Sequence, residues 1–180
     1  SSLAWAGSTT VVVGQGGGAP AGSTLLLGDN TSYTGGTYQV TVKDRAYRVY
    51  SGSAVASGKL TKGYLLLSGG NDTYNLKMVV YNTSDGSVVE ASSGKVPSAA
   101  ECAAGVVEFT FAGTADITAS TSYGIYVISS YNNGLSIQHD ADGTTDWDYD
   151  STSQSYAEPA TYEATGPCWD KGKYTAYVTN

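Results

Sequence analysis

The chain has 180 residues and a formal net charge of −7 at pH 7, with a sequence pI near 4.4. Apolar residues make up 41% of the chain and charged residues 14%, so it can bury the core of one domain of ordinary size. The acidic balance argues against binding to nucleic acid, which needs basic residues clustered on one face. No run of about 18 apolar residues occurs, so we expect no insertion into a membrane.

Residues 1–36 are predicted to form an extended, glycine-rich arm. Two β-prone apolar runs in this arm flank the glycine-rich segment 14–22. An isolated strand must find partners for its backbone N–H and C=O groups, so we expect both runs to pair with a neighbouring subunit. The alternative is that the arm folds back onto its own domain as an extra edge strand. The predicted assembly residues are Val11, Val12, Val13, Leu25, Leu26 and Leu27.

Residues 37–180 are predicted to form one β-sandwich. Short runs in which apolar and polar residues alternate recur along this part, as in Tyr38–Lys43, Tyr74–Tyr81 and Val107–Phe111. No helical segments separate these runs, which favours antiparallel sheets over βαβ units. The predicted fold is therefore all-β, an antiparallel two-sheet sandwich of jelly-roll type.

The chain has two cysteines, Cys102 and Cys168. A disulfide between them would close a loop of about 66 residues and contribute about 4 kcal/mol in the chain-entropy model. Both cysteines lie in polar, turn-like sequence, which favours the disulfide over two separately buried thiols. The sequence has no cysteine or histidine pairs at the spacing of a structural zinc site.

An acidic segment spans residues 139–150. Asp140, Asp142 and Asp146 could provide oxygen ligands for Ca²⁺, although the order of residues is not that of an EF-hand. The alternative is a solvated acidic hairpin that holds no particular ion. We expect no cofactor other than this calcium ion.

Aromatic residues accompany the acidic segment. Trp147, Tyr149 and Trp169 lie within or shortly after it. Aromatic rings beside carboxylates and amides can stack on sugar rings and hydrogen-bond their hydroxyls, so these three residues are candidates for glycan binding. The alternative is that they close the open ends of a β-sandwich core.

Catalytic motifs are absent from the sequence. The chain has one histidine, His139, and no G-x-S-x-G elbow, which argues against a Ser-His-Asp triad. No pair of carboxylates is placed by the pattern to face each other across a groove, as a glycosidase needs. We therefore predict that the protein is not an enzyme.

Three sequons for N-linked glycosylation begin at Asn30, Asn71 and Asn82. This is a mild excess over the number that the serine and threonine content gives by chance. Glycosylation would follow only if the protein is exported by a host that carries out this modification.

Several motifs resemble a module that recurs in bacteriophage structural proteins and bacterial surface proteins. The resemblance covers residues 64–179 and includes a V-x-F-x-F strand, a corner that leads into the next strand, an N-G-L turn and a terminal Y-x-A-Y-V-T strand. It departs from the module at Ser120, where glycine is usual, and in its two cysteines. The matching segments are Leu76–Tyr81, Val107–Phe111, Ile117–Val127, Asn133–Leu135 and Tyr174–Thr179.

The resemblance implies a non-catalytic jelly roll used in assemblies. We therefore predict a structural protein of a virion or an extracellular assembly, such as a capsid-decorating, tail-associated or surface subunit. It would lie on the virion surface or outside the cell, as a homo-oligomer whose partners are copies of itself and other virion or surface proteins. The alternative is a secreted or fibre-tip carbohydrate-binding module.

Overall fold

The computed structural model describes residues 20–31, 33, 36–40, 43–69, 75–131, 135–139, 146–147, 149–153, 155–161, 170–171 and 174–180. These residues form fifteen strands and one short helix. The strands are β1 Leu25–Asp29, β2 Gly36–Val40, β3 Arg45–Ser53, β4 Gly58–Lys59, β5 Lys62–Gly69, β6 Leu76–Asn82, β7 Val88–Ala91, β8 Val106–Thr110, β9 Asp116–Ile117, β10 Ser122–Ser129, β11 Leu135–His139, β12 Asp146–Trp147, β13 Tyr149–Ser153, β14 Asp170–Lys171 and β15 Ala176–Thr179, and the helix is α1, Ala99–Ala104.

The strands form two antiparallel sheets with the main core between them. The larger sheet has the order β1-β15-β5-β11-β2, with β8 also paired to β5. The second sheet has the order β13-β3-β10-β6-β7, and two small ladders join β12 to β14 and β4 to β9. The prediction of an all-β fold with antiparallel sheets is confirmed.

Both faces of each sheet bury apolar side chains. In β10, Ile125 and Val127 belong to the main core, whereas Tyr126 and Ile128 belong to a smaller cluster on the opposite face of the same sheet. All four side chains are fully buried. Because both faces are covered, β10 is a continuous apolar run and does not alternate as a half-exposed strand would.

A pair of tyrosines marks the outer face of each sheet. Tyr64 and Tyr177 lie opposite each other on β5 and β15, with nearly parallel rings whose centroids are 4.8 Å apart. Tyr81 and Tyr126 form the other pair, with centroids 5.7 Å apart. Burial, followed by the nearby carboxylate of Glu108, raises the pKa of Tyr64 to about 12. These outer tyrosines are therefore buried packing residues.

The structure places Leu25, Leu26 and Leu27 as the alternative prediction describes, in an edge strand of their own domain. They lie in β1, which pairs with β15 of the same chain, and Leu26 and Leu27 are fully buried in the main core. The register shifts between Leu25 and Leu27, so consecutive residues turn inward and the alternation expected of a strand is lost. The sandwich thus includes β1, ahead of the predicted boundary at residue 37. Val11, Val12 and Val13 lie outside the described residues.

Gly28 allows β1 to approach the last strand closely. It pairs with Tyr177 and has a φ of 109°, a left-handed conformation that residues with a side chain rarely adopt. A Cβ at this position would lie 2.4 Å from the Tyr177 Cα. The pairing of β1 with β15 therefore requires a glycine at position 28.

A buried carboxylate on β7 connects the two sides of the sandwich. Glu90 is 8% exposed, and its Oε1 accepts hydrogen bonds from the Thr114 backbone N–H (3.4 Å) and hydroxyl (3.1 Å). Its Oε2 accepts one from the Ala115 N–H (3.2 Å). Glu90 thus attaches an edge strand of the five-stranded sheet to the segment between β8 and β9.

We predict that Glu90→Ala lowers the free energy of unfolding by about 2 kcal/mol, because three donors lose a charged acceptor. Urea denaturation of both proteins measures the change. The control is Glu108→Ala, which removes a carboxylate paired at the surface with Lys62 and should cost less than about 1 kcal/mol. Equal losses in the two variants would contradict the structural role of Glu90.

Candidate functional site

The long connection between β10 and β15 carries all of the predicted glycan- and calcium-binding residues. It spans residues 130–175, and its strands join both sheets: β11 pairs with β5 and β2, and β13 pairs with β3. Connections of this length are uncommon in compact domains unless they have a function or a structure of their own. We call this segment the β10–β15 connection.

The structure places part of the predicted glycan and calcium sites. Asp146 and Trp147 form β12, where the backbone of Asp146 pairs with Lys171 and that of Trp147 pairs with Asp170. Tyr149 begins β13, opposite Tyr47 of β3. Asp140, Asp142 and Trp169 lie outside the described residues. Both ligand sites remain predictions.

Cys102 lies in α1 and is 3% exposed. Cys168, its predicted partner, is outside the described residues, so the disulfide remains a prediction. Within the described part of the chain, no three His, Cys, Asp or Glu side chains are grouped so that they could hold a metal ion.

Residues 155–161 of the β10–β15 connection, which we call the strap, are held to the five-stranded sheet by Lys77. The Lys77 Nζ donates to the backbone oxygens of Tyr156 (2.8 Å) and Ala157 (3.2 Å). It also lies 4.7 Å from the centre of the Tyr156 ring, close enough for a cation–π interaction. One β6 side chain therefore makes three contacts with the strap.

Two further side chains hold the strap at other points. The Asp44 Oδ1 accepts a hydrogen bond of 3.0 Å from the Tyr156 N–H, and the Tyr126 hydroxyl donates one of 3.4 Å to the Ala160 oxygen. Asp44 has a φ of 55°, a left-handed conformation that aspartate tolerates better than most residues. The strap is thus tied to β6, to β10 and to the turn before β3.

Tyr156 fills a closely packed position between the strap and the sheet. Its ring packs against the outer apolar cluster that contains Tyr126, and burial raises the pKa of its hydroxyl. A Cβ at Gly94 would lie 2.5 Å from the Tyr156 hydroxyl and 2.6 Å from the Asn75 Oδ1. Both of these oxygens are buried and have no hydrogen-bond partner within the described chain. Gly94 therefore provides the space that Tyr156 occupies.

Sequence reasoning missed Lys77. On an alternating strand a lysine is typical of a solvent-exposed face, but Val79 and Tyr81 share the outer face with Lys77 and are buried. Two apolar residues at this spacing indicate that something covers the face. Tyr156 of the covering segment lies 79 residues further along the chain than Lys77, and no local pattern reveals such a contact.

Comparisons with known proteins add no relative: no family model matches this chain, and no curated protein or solved structure matches it either. The described segments contain no helix that is long and apolar enough to cross a membrane. Any functional proposal therefore depends on the sequence and on the geometry above.

We predict that Lys77→Met loosens the strap while leaving the sandwich folded, because the methionine keeps the apolar stem but removes the charge and the donors. Hydrogen–deuterium exchange should show faster uptake in residues 155–161, with little change in the core strands. Lys59→Met, which breaks an exposed pair with Asp116, is the control and should leave strap exchange unchanged. Unchanged uptake in Lys77→Met would mean that the lysine does not hold the strap.

Proposed function

We propose that the chain is an elaborated jelly roll. Eight of its strands, taken in chain order, are β1, β3, β5, β6, β7, β8, β10 and β15. In one sheet the first strand pairs with the eighth, the eighth with the third and the third with the sixth. In the other, the second pairs with the seventh, the seventh with the fourth and the fourth with the fifth. This order supports the jelly-roll assignment, because two interlocked Greek keys generate it.

The remaining strands are additions to that order. β2 belongs to the connection between β1 and β3, and β11 to β14 belong to the β10–β15 connection. β2 and β13 form edges of the two sheets, beside β11 and β3 respectively. Edge strands carry backbone groups that can pair with another chain. The additions thus extend the sheets at positions suited to association.

From this architecture we infer a non-catalytic structural subunit of a virion or extracellular assembly. Its partners would be copies of itself and other virion or surface proteins. The strand order is the observation that carries this inference, since jelly rolls are frequent among viral capsid domains, and the resemblance of residues 64–179 to virion and surface modules supports it. Val11, Val12 and Val13 are the proposed strand that adds to a neighbouring subunit.

We expect the intact chain to be an oligomer and a chain without residues 1–19 to be a monomer, since the deletion removes Val11–Val13 but keeps β1. Light scattering coupled to size-exclusion chromatography gives both masses over a range of concentrations. A full-length variant with Val11, Val12 and Val13 all changed to Ser is the matched control and should also be monomeric, with an unchanged melting temperature. A monomeric intact chain, or oligomeric variants, would refute assembly through this segment.

Glycan binding is the second candidate function. The observation that favours it is the β12–β14 ladder, which pairs the backbone of Trp147 with that of Asp170, so an aromatic residue and an acidic residue are neighbours. Jelly rolls are also frequent among lectins. Trp147, Tyr149 and Trp169 are the proposed stacking residues, and Asp140, Asp142 and Asp146 are the proposed ligands of an accompanying Ca²⁺.

For this candidate, a glycan array should retain the intact chain, and excess chelator should weaken that retention by removing the Ca²⁺. Trp147→Ala should reduce retention about five- to thirtyfold, since stacking on one aromatic ring is worth about 1–2 kcal/mol. Tyr131→Ala, at an exposed tyrosine outside this ladder, is the control and should bind normally. If the array retains no intact chain, glycan binding is wrong.

A further inference from the structure

The turn between β6 and β7 contains one of the three sequons, Asn82-Thr83-Ser84. The Asn82 Oδ1 accepts hydrogen bonds from the Ser84 N–H (2.9 Å) and from the Ser84 hydroxyl (2.8 Å). Thr83 and Ser84 are exposed, and Asn82 is partly exposed. The hydroxyl that defines the sequon is therefore already bonded to the amide that would be modified.

This conformation is maintained mainly by neighbouring residues. The Asn82 N–H donates to the Ser87 oxygen (2.9 Å), the Gly86 N–H donates to the Asn82 oxygen (2.8 Å), and the Asp85 Oδ1 accepts from the Ser87 N–H (2.9 Å). Gly86 supplies the left-handed residue, with a φ of 72°. These bonds lie within residues 82–87, so the turn has local support of its own. The Thr83 N–H and hydroxyl also donate to the Ser122 oxygen (3.3 and 3.1 Å), which ties the sequon to β10.

Among the described residues, the hydrogen bonds of the Asn82 side chain are made by its oxygen and not by its nitrogen. Donors on an amide oxygen withdraw electron density from the group and make the Nδ2 protons more acidic. Loss of such a proton is what turns an amide nitrogen into a nucleophile. A sugar on Nδ2 would leave Oδ1 free to keep both bonds, so modification is compatible with this turn.

The sequon at Asn30 is described only in its first two residues, because Ser32 lies outside the described part of the chain. There the Thr31 N–H donates to the Asp29 Oδ1 (2.9 Å), a side chain that precedes the sequon. The Thr31 oxygen accepts from the Thr175 hydroxyl, which ties this segment to the residue before β15. Asn71 lies outside the described residues. Asn82 is thus the sequon whose asparagine and hydroxyl residue are both described.

We propose that Asn82 accepts an N-linked glycan when the chain is exported through a compartment that contains an oligosaccharyltransferase. The donor is a lipid-diphosphate-linked oligosaccharide. Asn82 Nδ2 attacks the first sugar carbon, an N–C bond forms, and the C–O bond to the diphosphate breaks. The bonding electrons leave with the lipid diphosphate, and Nδ2 loses one proton. This site lies outside the assembly and glycan-binding residues discussed above.

The test is secretion of the intact chain from eukaryotic cells behind a secretion signal, followed by mass spectrometry of the 75–91 region. We expect a glycan at Asn82 that peptide-N-glycosidase removes, converting Asn82 to Asp. Asn82→Asp and Ser84→Ala should lack this glycan, whereas Ser84→Thr and Asn30→Gln should keep it.

The same experiment contains a control for misfolding of the variant. The enzymatically deglycosylated chain and the Asn82→Asp variant have the same covalent structure at this position, and the aspartate retains the Oδ1 that caps the turn. Equal melting temperatures for these two samples would show that the variant loses its glycan without misfolding. An unmodified Asn82 in the secreted chain, or a glycan that persists in Ser84→Ala, would overturn the proposal.

Discussion

The last strand, β15, lies between β1 and β5, and the larger sheet depends on this placement. Ala176, Tyr177 and Val178 are buried within it, and the pairing reaches from Leu25 opposite Thr179 to Asp29 opposite Ala176. Residues at the two ends of the described chain must therefore meet before this sheet is complete. Contacts between residues so distant in sequence are costly in chain entropy, which makes such a fold slow to form. Gly28 permits this meeting, because a side chain there would collide with the Tyr177 backbone.

Burial on both faces is the second constraint. A sheet that buries only one face tolerates polar residues at every other position, whereas here Tyr126 and Ile128 are as inaccessible as Ile125 and Val127. A segment that lies on the outer face must in turn satisfy its own backbone carbonyls. Lys77 does this for two carbonyls of the strap with one ammonium group. The lysine thus lets a polar backbone lie on an apolar sheet.

The sequence predicts the fold class well because strand periodicity and turn residues are local signals. Tyr74–Tyr81 and Val107–Phe111 are predicted as strands and overlap β6 and β8 in the described chain. The burial of both Leu26 and Leu27 could not be predicted, because a register shift turns two consecutive leucines inward and alternation cannot reveal this. Asp44, Lys77 and Tyr156 come from three distant parts of the chain, and only the fold brings them together. Their contacts could therefore not be predicted from any local sequence pattern. The chemistry of Asn82, by contrast, is visible in a tripeptide, and the structure adds the two hydrogen bonds between its side chain and Ser84.

Among the strands added to the eight-strand order, β2 and β11 pair mainly with each other. β2 pairs with β11 from Val40 opposite Leu135 to Gly36 opposite His139, whereas β11 meets β5 at only two register positions. Ile137 and Tyr174 are the buried residues that the β10–β15 connection contributes to the main core, and the other core residues come from elsewhere in the described chain. Within the described residues, the main core thus takes few side chains from this connection, and segments outside a core are where binding residues commonly lie. This separation explains why the clearest sequence signals for fold and for ligand binding occupy different parts of the chain.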